Sequence, residues 1–227
     1  LIFKYCSDLS DDWLVWHSSD WYDDECDEIG ESDFIFLHKN FGLISLEVKG
    51  GRVEYSNKKW NTLNNKNPFH QARVSMHFWV NRYIKYIKEN YSDDCDEFLY
   101  CEKFPGVYWF CCAFPFVYFK KQLKKNNISL NEAKEEMIFD KSDCDEQEAW
   151  KKLNKEESSP FEKFLLNIFV FKNKNNIRLK EGVAEKFSQM MNSLSDHKFE
   201  YLINQLIEKK HQILNQIFED QEYYRNI

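Results

Sequence analysis

Glycine and proline are scarce in this chain, at six and four of 227 residues. Set against 17% aromatic residues, that scarcity excludes disordered and collagen-like compositions and leaves a globular protein. The glycines fall at 30, 42, 50, 51, 106 and 182, and none builds the G-x-x-x-x-G-K-[ST] loop of an ATP site. A G-x-S-x-G elbow and an H-E-x-x-H helix are also missing, which argues against a serine hydrolase and a zinc protease. Neither a C-x-x-C pair nor a His pair at zinc-ligand spacing accompanies the seven cysteines at 6, 26, 95, 101, 111, 112 and 144. An odd number so scattered reads as reduced thiols packing as small hydrophobes in a cytoplasmic protein.

Long apolar runs are lacking too. The longest candidate, Val107 to Phe119, has 13 residues and reads as one or two buried strands broken at Pro115, so no membrane association is expected. No secretory signal is present, and a first residue of Leu leads us to expect that the chain belongs to a longer protein. Its length suits one medium domain, or one domain with an extension.

The formal net charge is −7, but its distribution matters more than its total. Between Ser7 and Asp33 there are eleven acids and no Lys or Arg. From Lys49 to Lys88 nine Lys or Arg face a single acid, Glu54, a local excess of eight positive charges. Phosphates respond to local potential, so this segment is a candidate nucleic-acid surface as well as a plain solvated helix face. Arg52, Lys58, Lys59 and Arg73 are its candidate contacts to a nucleic-acid backbone.

The most informative stretch is 30–51, GESDFIFLHKNFGLISLEVKGG. Phe34 to Leu37 and Leu43 to Val48 carry β-branched and aromatic residues, and Asn40 and Gly42 mark a turn between them. Strand residues alternate faces, so Ile44, Leu46 and Val48 suit a core while Glu47 and Lys49 share the other face. Pairing as a hairpin would bring Asp33 near Glu47. Two such carboxylates repel unless a cation lies between them, and oxygen donors of this kind suit Mg²⁺ or Mn²⁺. An E-x-K triplet alone is equally an exposed, salt-bridged strand face.

Followed by Trp60 and by Asn67-Pro68-Phe69-His70-Gln71-Ala72, this stretch resembles the nuclease-related domain family, a branch of the PD-(D/E)XK nuclease superfamily. The resemblance runs from about Asp12 to Tyr83. It continues more loosely through Phe104-Pro105-Gly106-Val107, Ala113-Phe114-Pro115 and Ile138-Phe139-Asp140. It implies that Asp33 and Glu47 are metal ligands, that Lys49 is the catalytic lysine and that Gln71 is a polar residue assisting from the following helix. Gln71 would contact a nucleophilic water, a phosphate or the Glu47 carboxylate; hydrogen bonding to nearby backbone is the simpler alternative. The family pattern includes a further Glu on a first helix, which this sequence does not show.

In order, residues 1–9 read as the end of a helix, Trp13 to Trp21 as a strand, 22–28 as an acidic loop and Arg52 to Tyr55 as a third strand. Asn67 and Pro68 suit the cap and first position of a helix. Its apolar stripe is Ala72, Met76, Trp79, Val80, Tyr83, Ile84 and Ile87, ending near Lys88. Residues 120–160 read as short helices and loops, followed by helices at Phe161–Phe171, Gly182–Leu194 and Ser195 to about Tyr224. The expected fold is therefore α/β, a mixed central sheet of four or five strands flanked by helices, restriction-endonuclease-like as the resemblance implies. Residues 1–125 would form the nuclease-related core and 126–227 a mainly helical C-terminal extension.

The function expected is Mg²⁺- or Mn²⁺-dependent hydrolysis of DNA phosphodiester bonds with little sequence specificity. The resemblance also suggests a fused or associated helicase domain and a role in antiviral defence or repair. The alternatives are a module of the same fold that binds nucleic acid without cutting it, and an assembly domain that forms homo-oligomers through its last helix.

Overall fold

Alternating apolar and polar residues, punctuated by few turn signals, produce long strands early in the chain. The computed structural model describes residues 1–23, 27–38, 41–63, 65–91, 104, 106–130, 133–153 and 158–175. The two helices expected at Gly182–Leu194 and Ser195–Tyr224 lie outside the described residues. A short helix α1 (Ile2–Cys6) precedes an antiparallel meander of β1 (Trp13–Asp23), β2 (Glu28–His38) and β3 (Gly42–Val48). Both ends of the expected acidic loop, Tyr22–Asp23 and Glu28, are strand: β1 and β2 stay paired out to Asp23 and Glu28.

A separate hairpin follows, formed by β4 (Glu54–Ser56) and β5 (Lys59–Asn61). Its central residues Asn57 and Lys58 both have positive φ, 52° and 59°, the two-residue turn that matches strand twist. Helix α2 (Pro68–Tyr91) then crosses one face of the sheet and leads into β6 (Val107–Phe114), parallel to β3. Helix α3 (Phe119–Lys125) and a single 3₁₀ turn lead to β7 (Ile138–Asp140), parallel to β6, and α4 (Lys141–Lys152) and α5 (Pro160–Asn175) follow. The five-stranded mixed sheet has the order β1-β2-β3-β6-β7. The class is α/β, with helices on both faces.

The sheet takes its fifth strand from beyond residue 125, where an extension was expected to begin, and α5 packs on the same core. Phe161 lies 5.8 Å from Phe36 and 5.0 Å from Phe139, and Trp13 stacks on Phe169 at 6.1 Å. Buried Glu162, in the first turn of α5, accepts hydrogen bonds from the Ser10 amide (3.2 Å) and the Trp13 indole (3.1 Å). In the segment Val107–Phe119, expected to be one or two strands broken at Pro115, a single strand ends at Phe114, where Pro115 cannot donate to a ladder; Phe119 already belongs to α3. Among the described residues no helix is long and apolar enough to cross a membrane.

The meander inverts its faces part-way along. Phe34 and Phe36 point towards α5, whereas Ser32 hydrogen-bonds Ser75 of α2, and Trp21 stacks on Phe78 of α2 at 4.8 Å. Strict alternation would put Ser32 and Phe34 on one face. Between the pairs His17–Phe34 and Ser19–Ser32 stand Ser18, with φ 50°, and Asp33. A left-handed residue in one strand turns the ladder over there, as a bulge does. Asp33 therefore lies at the point where β2 changes face.

Gly42 sits where β3 meets β6, with φ 135°, and a Cβ there would strike the Val107 carbonyl oxygen. Gly42→Ala should lower stability by more than about 1 kcal/mol, since both the backbone conformation and the strand contact oppose a side chain. Urea titration monitored by circular dichroism measures it; an unchanged midpoint would refute this account of the β3–β6 junction.

Candidate active site at the carboxyl end of the central strand

Every residue of β3 from Gly42 to Glu47 is buried. The expectation of one core face and one open face fails because α2 covers the side that carries Ser45 and Glu47. Glu47 is only 4% exposed, beside Cys112 of β6 in the register. Burial is the first cause that pushes its carboxyl from an ordinary 4.5 up to about 7; the nearby Asp33 charge adds to it, and Lys49 opposes it. The Cys112 thiol is pushed well above its usual range by its complete burial, so the wall behind Glu47 is neutral.

Asp33 lies one step beyond the last recorded β2–β3 pair, Phe34–Leu46. Its carboxylate accepts the Val48 amide proton at 2.6 Å, in the position a partner-strand carbonyl would otherwise take. Lys49 donates its backbone amide to the Ala113 carbonyl at 2.9 Å, fastening the end of β3 to β6, and its ammonium forms an ion pair with Glu47 Oε1. Among the described residues the second oxygen of each carboxylate has no donor. The expected trio of Asp33, Glu47 and Lys49 is thus brought together.

Helix α2 aligns the fourth residue. Asn67 caps it, accepting from the Phe69 and His70 amides at 3.0 and 3.3 Å, and Pro68 occupies the first helical position as expected. Ser75 is the pin: its hydroxyl meets Ser32 of β2 at 2.5 Å and Ser45 of β3 at 2.9 Å, and Ser32 also accepts from the Trp79 indole at 2.8 Å. The crossover makes α2 run opposite to β3. One turn back from Ser75 therefore corresponds to one step forward from Ser45, which sets Gln71 at the level of Glu47. The Gln71 Oε1 is buried and has no hydrogen-bond partner among the described residues. Such an atom costs free energy unless water or a ligand reaches it.

The serine pin was not weighed in the sequence. Its one signal there is Ser45 interrupting an otherwise apolar run.

The basic residues expected to hold a backbone stand outside this pocket. Lys58 and Lys59 are exposed at the tip of the β4–β5 hairpin. That hairpin is anchored by Trp60, which packs on Phe69 of α2 at 5.6 Å and on Phe119 of α3 at 5.7 Å. Arg52 is exposed and paired with Glu54 at 2.8 Å, which removes much of its charge from any phosphate. Arg73 is exposed on α2, 3.2 Å from the His70 ring nitrogen. Helix α1 carries no carboxylate, and among the described residues no group of three or more His, Cys, Asp or Glu converges.

Two carboxylates with free oxygens, one of them pushed up to about 7 chiefly by burial and further by the charge of the other, fit a hard dication that keeps most of its waters. Asp33 and Glu47 would hold it, and the orphaned Gln71 oxygen lies where a bound water can donate to it.

Because the folded chain holds the Glu47 proton more tightly than the unfolded chain, this group stabilises the fold fully below pH 4.5. That contribution is lost as pH rises through about 7. The melting temperature should therefore fall between pH 5 and 8 by more in the wild type than in Glu47→Gln, measured without divalent metal. Parallel curves for the two proteins would refute the shift. Comparison of the chain with protein-family models, with curated proteins and with solved structures returns no match.

Proposed function

We propose that the chain is a metal-dependent nuclease that hydrolyses DNA phosphodiester bonds with little sequence specificity, and that it belongs to the nuclease-related domain family. The observation that supports this most is the meeting of Asp33, Glu47 and Lys49 at the end of β3 around a buried carboxylate, with Gln71, whose carbonyl oxygen has no partner among the described residues, one helical turn from the Ser75 that contacts Ser45. Such an arrangement has no evident structural purpose. Glu47 would be better replaced by an apolar residue if only stability mattered.

Asp33 and Glu47 would hold Mg²⁺ or Mn²⁺. When bound, the ion supplies neutralisation of phosphate charge and a water acidified towards hydroxide. The chain's own groups do the rest. Lys49, anchored through its backbone to β6, sets a fixed positive charge beside the scissile phosphate and steadies the charge that grows on its oxygens. Gln71 would accept a hydrogen bond from the attacking water through its carbonyl oxygen and so help to orient the water's lone pair towards phosphorus. Lys58 and Lys59 lie where the backbone leaves the pocket; contacts of this kind position a strand without reading its bases. Arg52 and Arg73 are weaker candidates, given their neighbours Glu54 and His70. A helicase partner and a defence role remain part of this proposal, carried by the family resemblance; a cytoplasmic setting rests on the scattered cysteines, and homo-oligomers through the last helix on its apolar pattern.

A second reading is favoured by one observation. Among the described residues no group of three or more His, Cys, Asp or Glu able to hold a metal ion forms around Asp33 and Glu47, and Lys49 already occupies one Glu47 oxygen. Such a pocket would suit a module that binds nucleic acid without cutting.

Circular DNA incubated with Mg²⁺ or Mn²⁺ separates the two. The wild type should nick or linearise it. Asp33→Asn, Glu47→Gln and Lys49→Ala, each shown to be folded, should lose about 10²-fold or more in rate. Cutting that survives all three substitutions would sink the assignment of the site. A folded wild type that binds DNA yet leaves the circle intact would favour the binding module.

A further inference from the structure

Phe116 is 61% exposed in the tight turn that follows β6. Single exposed aromatics are common and need no explanation of their own, so its place must carry the inference. The ring reaches 4.0 Å from where a Cβ of Gly50 would stand, against the backbone that leaves Lys49. Gly51, beside it, has open space where a side chain would be. Phe116 therefore borders a bare shelf of backbone at the mouth of the Asp33–Glu47–Lys49 pocket.

The turn is rigid. Its Val117 amide donates to Phe114 at 3.1 Å, and its Val117 carbonyl accepts from the Lys141 amide at 3.1 Å. A ring on so fixed a support loses little entropy on meeting a ligand. Cations are carried by the elements that adjoin this turn. Lys121 lies 4.5 Å over the Tyr118 ring, and the hairpin bearing Lys58 and Lys59 is stacked onto α3 through Trp60 and Phe119. Lys120 and Lys124 do not count towards this surface, because Asp143 and Glu135 neutralise them at 2.6 and 3.0 Å.

An exposed π-face beside a phosphate-binding pocket and scattered lysines is the chemistry that holds unpaired bases. In a duplex the base faces are covered by their own neighbours, so such a ring has nothing to stack on. We propose that Phe116 is a stacking platform for an unpaired base and that the pocket takes single-stranded nucleic acid. This rests on the reading that Asp33, Glu47 and Lys49 face a phosphodiester, and it adds the substrate class.

The full chain would be titrated by fluorescence anisotropy into a labelled single-stranded oligonucleotide of mixed sequence and into its duplex, with Ca²⁺ in place of Mg²⁺. Phe116→Ala should weaken single-strand binding by about tenfold and leave duplex binding unchanged. Phe116→Trp should retain wild-type affinity. Phe116→Leu, which keeps apolar bulk without a π-face, should behave as Phe116→Ala does. Melting curves confirm that all three fold, as expected for a substitution at an exposed position.

Equal affinities for wild type and Phe116→Ala on the single strand would overturn the proposal, and so would full affinity in Phe116→Leu or equal losses on both substrates. Those outcomes leave the nuclease reading standing. A wild type that binds neither substrate would overturn both.

Discussion

Burial of Glu47 beside a second carboxylate is the constraint to which the rest of the chain answers. An acid 4% exposed is tolerated only where something returns the solvation it has lost, and here Lys49 does part of that work. To keep that pair in place, the end of β3 is fastened on both sides. Asp33 takes the Val48 amide on one side, and Ala113 takes the Lys49 amide on the other. The serine pin between α2, β2 and β3 closes the remaining side. Each of these contacts is polar and sits inside an otherwise aromatic core. None improves on what a larger apolar residue would contribute to stability alone.

The same end of the sheet collects the groups with chemical potential. Crossover connections send α2 and α3 away from the carboxyl ends of β3 and β6, so turns, helix starts and the β4–β5 hairpin gather there. Open α/β sheets place their ligand crevices at such ends for this reason. Trp60 links the hairpin to both helices, and its partners Phe69 and Phe119 are among the most deeply buried aromatics. The hairpin bearing Lys58 and Lys59 is thus fixed to α2 and α3, while the acid-rich β1–β2 ribbon, whose β2 is antiparallel to β3, runs past the carboxyl end of β3.

Much of this was legible before any coordinates. Turn signals at Asn40 and Gly42 delimit β3, and the Asn67-Pro68 pair marks the start of α2. The stripe of Ala72, Met76, Val80 and Tyr83 is the buried face of that helix. Asp33, Glu47 and Lys49 were visible as a set because a hairpin with its turn near residue 40 must bring 33 opposite 47. Less legible was the long β1–β2 ribbon, since its acidic tip looks like a solubilising loop; cross-strand pairing, which composition does not report, keeps it extended. Nor did the charged segment after residue 125 resemble part of a sheet. Ile138–Asp140 is too short to show a period, and it becomes a strand only because β6 offers it an open edge.

Local patterning by itself therefore determined the class, the central hairpin, the capped helix and the candidate acid, acid and lysine. These depend on interactions between residues near in sequence, or on a two-residue alternation that any pleated strand obeys. Tertiary structure decided the rest. It buried both faces of β3, which turned Glu47 from a surface acid into one that holds its proton near neutrality. It inverted β2 at Asp33 and matched Gln71 to Glu47 through Ser75 and Ser45. It also set Phe116 against Gly50, 66 positions apart in the sequence. Dielectric environment and long-range juxtaposition arise only when separate elements pack, so no pattern along the chain encodes them one residue at a time.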